Sequence, residues 1–290
     1  MNTTRILRSI YNQHKLPTLH RFRSVARFPT SIGRASHPAK CLHFHPFRTT
    51  MSALQIPNED RPIQPSKRDP TMETTYNTAD ELERLLQKDK FKTWGFVIYR
   101  CTYQSDSDWE KFMTRFLYHV TEKLEFYNGL DLLDSFAPIV FEDRYFDGAN
   151  TALLRKHFQE WAATAPQEEQ GIDHAHFAQS GRYRFFVMVD QEALESVLGA
   201  PDLDDCNETG FVRLVNGDWK PEELDEDELA ECGRSAQLQE YEPLEGCTLE
   251  DVGWMKVLYD DAEAWGFLHI CTSIDWLTYY QRPPVIQRNM

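Results

Sequence analysis

Apolar residues along the chain fall into two kinds of run. Trp94 to Tyr99 and Tyr183 to Val189 are short, nearly unbroken and rich in aromatic and β-branched residues. Runs of that kind predict strands buried on both faces, central in a sheet. Trp109, Phe112, Met113, Phe116, Leu117, Val120 and Leu124 instead recur three and four apart. That spacing predicts a helix whose apolar stripe packs on the sheet. A capping-box pattern, Ser107-Asp108-Trp109-Glu110, precedes this helix, and Thr78-Ala79-Asp80-Glu81 precedes a shorter one over about 79–88.

Weaker patterns complete the order. Phe136 to Phe141 reads as a strand that Pro138 confines to a sheet edge. Asp147-Gly148-Ala149-Asn150 reads as a turn and cap before a helix through Leu154, Phe158, Trp161 and Ala162. Residues 164–181 are polar, hold Pro166, Gly171 and Gly181, and predict a loop. Asp190 caps a helix over 191–198, and Phe211 to Val215 is a strand closed by Asn216-Gly217. Trp254 to Tyr259 and Trp265 to Ile270 read as two strands of a hairpin. Alternation early and strands late predict an α+β fold: a mixed, largely antiparallel sheet with helices on one face. A duplicated β-α-β arrangement of ferredoxin-like type is the specific expectation.

Charge divides the chain. Residues 1–58 hold nine Lys or Arg and no acid, which leaves 22 bases against 46 acids, a net of −24, for the remainder. The first 50 residues are basic, Ser/Thr-rich and acid-free, the composition of a mitochondrial transit peptide. Ile6, Leu7 and Ile10 would share a face beside Arg5 and Arg8. A start at Met51 with a cytoplasmic product, a disordered extension and a basic nucleic-acid arm are the other readings. Residues 51–77 read as a linker, and 78–290 as one domain with an acidic irregular insertion at 220–250. A strongly acidic body repels phosphate and argues against nucleic acid as principal partner. No stretch is apolar enough to span a membrane.

Candidate chemistry is sparse. Six cysteines at irregular spacing, without a C-x-x-C pair, predict free thiols in a reducing compartment, with Cys101 and Cys271 buried. His174 and His176 would project to one side of an extended segment and are weak metal candidates, though further ligands are missing. The expectation is no bound metal and no cofactor. Asp202 to Glu208 has the composition of a calcium loop but carries Asn207 and Arg213 where Gly and Glu are required. Glu222 to Glu228 reads as a solvated charge run or a docking patch for a basic partner. Arg182 and Arg184 read as solvated edge charges. Six tryptophans (Trp94, Trp109, Trp161, Trp254, Trp265 and Trp276) would line a pocket for a flat apolar ligand or, more simply, fill the core. No phosphate-loop, dinucleotide, nucleophile-elbow or H-E-x-x-H motif occurs. The remaining constellation is Arg100, Tyr103 and the helix start at Ser107, where a strand end meets helix N–H groups, with His269 as a further candidate.

Three segments carry a resemblance: Trp94 to Tyr103 followed by Trp109 to Phe112, Asp251 to Val257, and Tyr280-Gln281-Arg282-Pro283-Pro284. Together they resemble a protein family of filamentous fungi to which no activity is attached. The resemblance spans about residues 91–290 and implies a soluble intracellular protein, with no site residue to carry over. Two functions follow. One is a non-catalytic protein that binds a small ligand or a protein partner. The alternative is a small tailoring or acid–base enzyme acting on an aromatic or apolar molecule. The sequence does not decide whether the chain is an enzyme, nor its oligomeric state.

Overall fold

The computed structural model describes residues 64–172, 180–199, 209–221 and 241–288. Among the described residues, six strands make one sheet: β1 (Val97–Arg100), β2 (Ile139–Phe141), β3 (Phe185–Val189), β4 (Phe211–Asn216), β5 (Trp254–Leu258) and β6 (Ile286–Gln287). Their order is β2-β1-β3-β4-β5-β6. β1 runs parallel to both neighbours, with Val97 opposite Ile139 and Phe186. The middle is antiparallel, β3 with β4 and β4 with β5, and β6 closes the far edge parallel to β5. The class is α+β with a mixed sheet. The strand order of the described residues does not confirm a duplicated ferredoxin-like unit.

The described residues hold seven α-helices: α1 (Thr78–Asp89), α2 (Asp106–Phe126), α3 (Thr151–Ala162), α4 (Ala165–Gln170), α5 (Gln191–Leu198), α6 (Ala264–His269) and α7 (Ser273–Tyr279). Strand alternation divides the core. Ile98, Phe185, Val187, Leu214 and Met255 face one layer, which holds Leu82, Phe112, Leu117, Leu194, Phe267 and Trp276 from α1, α2, α5, α6 and α7. Val97, Tyr99, Phe186, Met188, Val215 and Trp254 face the other, which Leu154 and Phe158 of α3 cover. Most helices thus gather on one face, as expected, and α3 covers part of the opposite one. Every residue of the stripe from Trp109 to Leu124 is buried.

Helix starts differ from the predicted boxes by one or two residues. Asn77, not Thr78, caps α1 by accepting from the Asp80 N–H. Ser105, not Ser107, caps α2 by accepting from the Asp108 N–H at 3.2 Å. The segment 264–269 is a helix, so the predicted hairpin after β5 is corrected to a strand, turn and helix. Ala264, Trp265, Gly266, Phe267 and Leu268 are all buried there, and an apolar run buried all round does not distinguish helix from strand. The predicted loop at 164–181 contains α4, started by Pro166 in its first turn and closed by Gly171 at φ 74°. Residues 64–77 are held to the body rather than free: Arg68 is buried and donates to Asp131 Oδ1 at 2.6 Å and to the Asn128 carbonyl at 2.7 Å.

No helix among the described residues is long and apolar enough to cross a membrane. Arg182 corrects another expectation. It is fully buried and donates to both Glu169 oxygens and to the carbonyls of Gly95 and Ala137. Glu169 comes from α4, so the segment expected to be loop supplies the counter-charge that a buried guanidinium requires.

Candidate functional site

The end of β1 gathers two of the predicted residues. The Arg100 guanidinium lies 4.3 Å from the Tyr103 ring centroid and 5.2 Å from that of Trp109. Its Nη2 donates to Asp106 at 2.5 Å and its Nε to the Thr102 carbonyl at 2.9 Å. Arg100 is therefore engaged by its own chain. The Ser107 hydroxyl pairs with that of Ser105 at 3.0 Å and caps nothing. His269 shares none of these contacts. It stacks on Trp265 at 5.1 Å and bonds the Trp265 carbonyl at 3.0 Å. The structure joins Arg100 to Tyr103 and leaves His269 with α6.

Next to that end lies a charge cluster. Arg213 on β4 and Lys256 on β5 are cross-strand partners, an arrangement of like charges that repels. Glu192, in the first turn of α5, bridges them: one oxygen is 3.2 Å from Arg213 and the other 2.6 Å from Lys256. Asp190, the cap of α5, adds a 2.5 Å contact to Arg213.

The cavity is adjacent to this cluster. Leu244 and Cys247 exchange backbone hydrogen bonds at 3.0 and 2.9 Å around Glu245 (φ 48°) and Gly246 (φ 84°). This is a two-residue hairpin turn with both central residues left-handed. A glutamate in that conformation is strained, and its carboxylate is anchored. One oxygen accepts from the Thr151 N–H at 3.0 Å and the Thr151 hydroxyl at 2.7 Å, and the other is 3.6 Å from Arg213. Glu245 thus closes the N-terminus of α3, where a negative charge is favoured. Arg282 holds the base of the hairpin through the carbonyls of Leu249 and Glu242, both at 2.6 Å.

Between α3, this hairpin and the segment after β4 lies a half-open cavity of about 400 Å3. Thr151, Arg155, Trp219, Leu244, Cys247 and Val252 contribute to its walls. Arg155 is 8% exposed. Its Nε donates to the Asn216 carbonyl at 3.1 Å, and its Nη2 to those of Val252 and Gly253 at 3.2 and 3.0 Å. The guanidinium lies 4.6 Å from the Trp219 ring. Gly253 makes this packing possible: at φ 74°, a Cβ there would meet Trp219 at 2.4 Å and Arg155 Nη2 at 2.5 Å. Burial pulls the Arg155 pKa below its ordinary value.

Trp219 is the tryptophan that the sequence reading did not single out. The six that it named do not line the cavity; five are buried and Trp161 is half-buried. One local signal points to Trp219, the Asn216-Gly217 turn that places it just beyond β4. Nothing local marks Arg155, since its partners come from distant segments.

The second face also holds a tyrosine–histidine pair. The Tyr99 hydroxyl is 2.8 Å from His157 Nδ1, inside a ring of Phe141 and Phe146. Burial lowers the His157 pKa and raises that of Tyr99. Neither lines the cavity. Among the described residues no group of three His, Cys, Asp or Glu is placed to hold a metal ion. His174 and His176, the calcium-like segment 202–208 and the acidic run 222–228 lie outside the described residues. No family model matches the chain, and no curated protein or solved structure does so either.

Proposed function

We propose that this chain is a non-catalytic binding protein for a small molecule, with the cavity between α3, Trp219 and the 244–249 hairpin as its site. The observation that supports this is the cavity's construction. Its volume, about 400 Å3, falls within the ~300–1,000 Å3 span of small-ligand pockets. An indole, Leu244 and Val252 supply apolar wall, and Arg155 and Thr151 supply a few polar atoms. Catalysis would need an acid–base pair facing the same space. Glu245 is engaged at the start of α3, and the Tyr99–His157 pair faces its own aromatic ring. The same reading would extend to the fungal proteins that the three sequence segments resemble.

Calorimetric titration with phenylacetate, hexanoate and benzyl alcohol tests this, alongside an Ala152→Trp variant. Ala152 is exposed on the first turn of α3 and borders the cavity, so an indole there fills the space without disturbing the core. At least one probe should bind the native chain saturably and lose at least tenfold in the variant. Absence of binding by all three, or binding that the plug leaves unchanged, overturns the proposal.

A further inference from the structure

Buried charges in folded proteins are paired, because taking an isolated ion out of water is costly. Four of the buried cations here obey this. Arg68 has Asp131 at 2.6 Å, Arg100 has Asp106 at 2.5 Å, Arg182 has Glu169 at 2.9 Å and Lys256 has Glu192 at 2.6 Å. Arg155 is buried to the same degree. Its bonds go to three neutral carbonyls, and no carboxylate among the described residues comes within salt-bridge distance of it. The two nearby acids are occupied. Glu245 takes both donors of Thr151. Asp251 accepts from Trp276 Nε1 at 2.8 Å and from the Gly253 N–H at 2.6 Å. Nε and Nη2 of Arg155 are used, whereas Nη1 has no protein acceptor among the described residues. Of these buried cations, the one with no carboxylate in salt-bridge reach among the described residues is the one that lines the cavity.

We infer that the cavity takes a small monocarboxylate, with its head group on Nη1 of Arg155 and its apolar body against Trp219, Leu244 and Leu249. This rests on the ligand-binding reading above and names the class of ligand. A single unbonded guanidinium nitrogen offers two N–H donors, enough for one carboxylate but not for a phosphate dianion. Glu245 on the cavity wall adds to the penalty for a second negative charge. The three carbonyl bonds fix the guanidinium before the ligand arrives, so little side-chain freedom remains to be lost on binding.

The test compares phenylacetate with phenylacetamide, its neutral near-isostere, by calorimetric titration of the full native chain at pH 7. Phenylacetate should bind at least tenfold tighter, and the difference should shrink as sodium chloride is raised to 0.5 M. Arg155→Lys should narrow the preference. Because Arg155 ties the end of β4 to the start of β5, that variant can fail to fold, and the native comparison stands without it. Equal affinity for acid and amide overturns the carboxylate claim and leaves a neutral-ligand cavity. Failure of both to bind overturns the cavity reading as well. Inorganic phosphate that displaces phenylacetate and binds more tightly overturns the monoanion assignment.

Discussion

Replacing Glu263 by Gln should stabilise this protein, and by more as the pH rises. Glu263 immediately precedes α6 and is 1% exposed. One carboxyl oxygen accepts from the Phe96 N–H at 2.9 Å, and the other has no hydrogen-bond partner. Burial pushes its pKa up from 4.5 to about 8, against the smaller opposing effects of that hydrogen bond and of Arg182. Arg182 does little to help because Glu169 already holds it with two bonds. The folded chain therefore keeps a proton that the unfolded chain releases. Below about pH 4.5 both states are protonated and the group costs nothing. Above that, stability falls as pH rises, and the loss levels off beyond about pH 8.

The size follows from about 1.36 kcal/mol per unit of pKa difference. At pH 7 the displacement from 4.5 toward about 8 costs about 3 kcal/mol. A glutamine keeps the acceptor for Phe96 and places an amide donor where the carboxylic acid placed a hydroxyl. Any difference in fit between the two is therefore a constant offset, independent of pH. Urea unfolding of both proteins at pH 5, 6, 7 and 8, analysed by linear extrapolation, isolates the effect, since the other titrating groups are common to both. The stability gap should widen by about 3.5 kcal/mol from pH 5 to pH 8. A gap constant across that range would refute the reasoning, since the carboxyl would then titrate alike in both states.

Trp109→Ala should cost about 3–5 kcal/mol in urea unfolding, because the indole is buried, stacks on Phe112 at 5.4 Å and donates to Glu142; a change within scatter would contradict its core position. Glu192→Ala should cost about 1 kcal/mol after solvent screening, and adding Lys256→Met should recover part of it, whereas equal losses in single and double variants would show that bridging is not the cause. In the native protein, maleimide at pH 8 should label Cys247 ahead of Cys101 and Cys271, whose thiols burial pushes up to about 12; equal rates by peptide mass spectrometry would place all three alike. Residues 1–50 fused to a fluorescent reporter should direct it to mitochondria, and a uniform cytosolic signal would remove the transit-peptide proposal.

Elements with a one-sided or two-sided apolar pattern were legible in the chain. The 109–124 stripe could bury itself only as a helix, and Val97 to Tyr99 only as a central strand. Trp265 to Ile270 was misread because Trp265, Phe267, Leu268 and Ile270 leave only His269 as a polar position, too little to tell one period from the other. Arg182 was misread for a different reason. Its burial depends on Glu169, which comes from a helix that Pro166 and Gly171 disguise as loop. The site divides in the same way. Arg100 and Tyr103 are close in sequence, and the structure joins them, although Asp106 rather than a ligand takes the guanidinium. Arg155, Trp219, Glu245 and Gly253 come from distant segments, and only the Asn216-Gly217 turn before Trp219 is a local mark of any of them.

The position of the cavity follows from how the second face is covered. β1 leads through α2 to β2 on one side and β3 leads through α5 to β4 on the other, and in open parallel sheets a ligand crevice forms beyond the strand ends at such a divergence. Here β4 runs antiparallel to β3 and brings Arg213 to the end of β3, opposite Met188. Arg213 binds Asp190 there, and Thr102 bonds Gln191 across the gap, so the crevice is filled by the chain itself. The space reappears to one side. α3 covers the parallel half, with Phe158 on Phe186 and His157 on Tyr99. The antiparallel half, with Val215 and Trp254, is covered by Leu244 and Cys247 of the hairpin. A helix and a two-residue hairpin do not interdigitate as two helices do, and the seam between them is where a guanidinium and an indole stand beside open volume. Shortening that seam from either side, at Ala152 or at Leu249, should therefore act on binding and leave the two core layers intact.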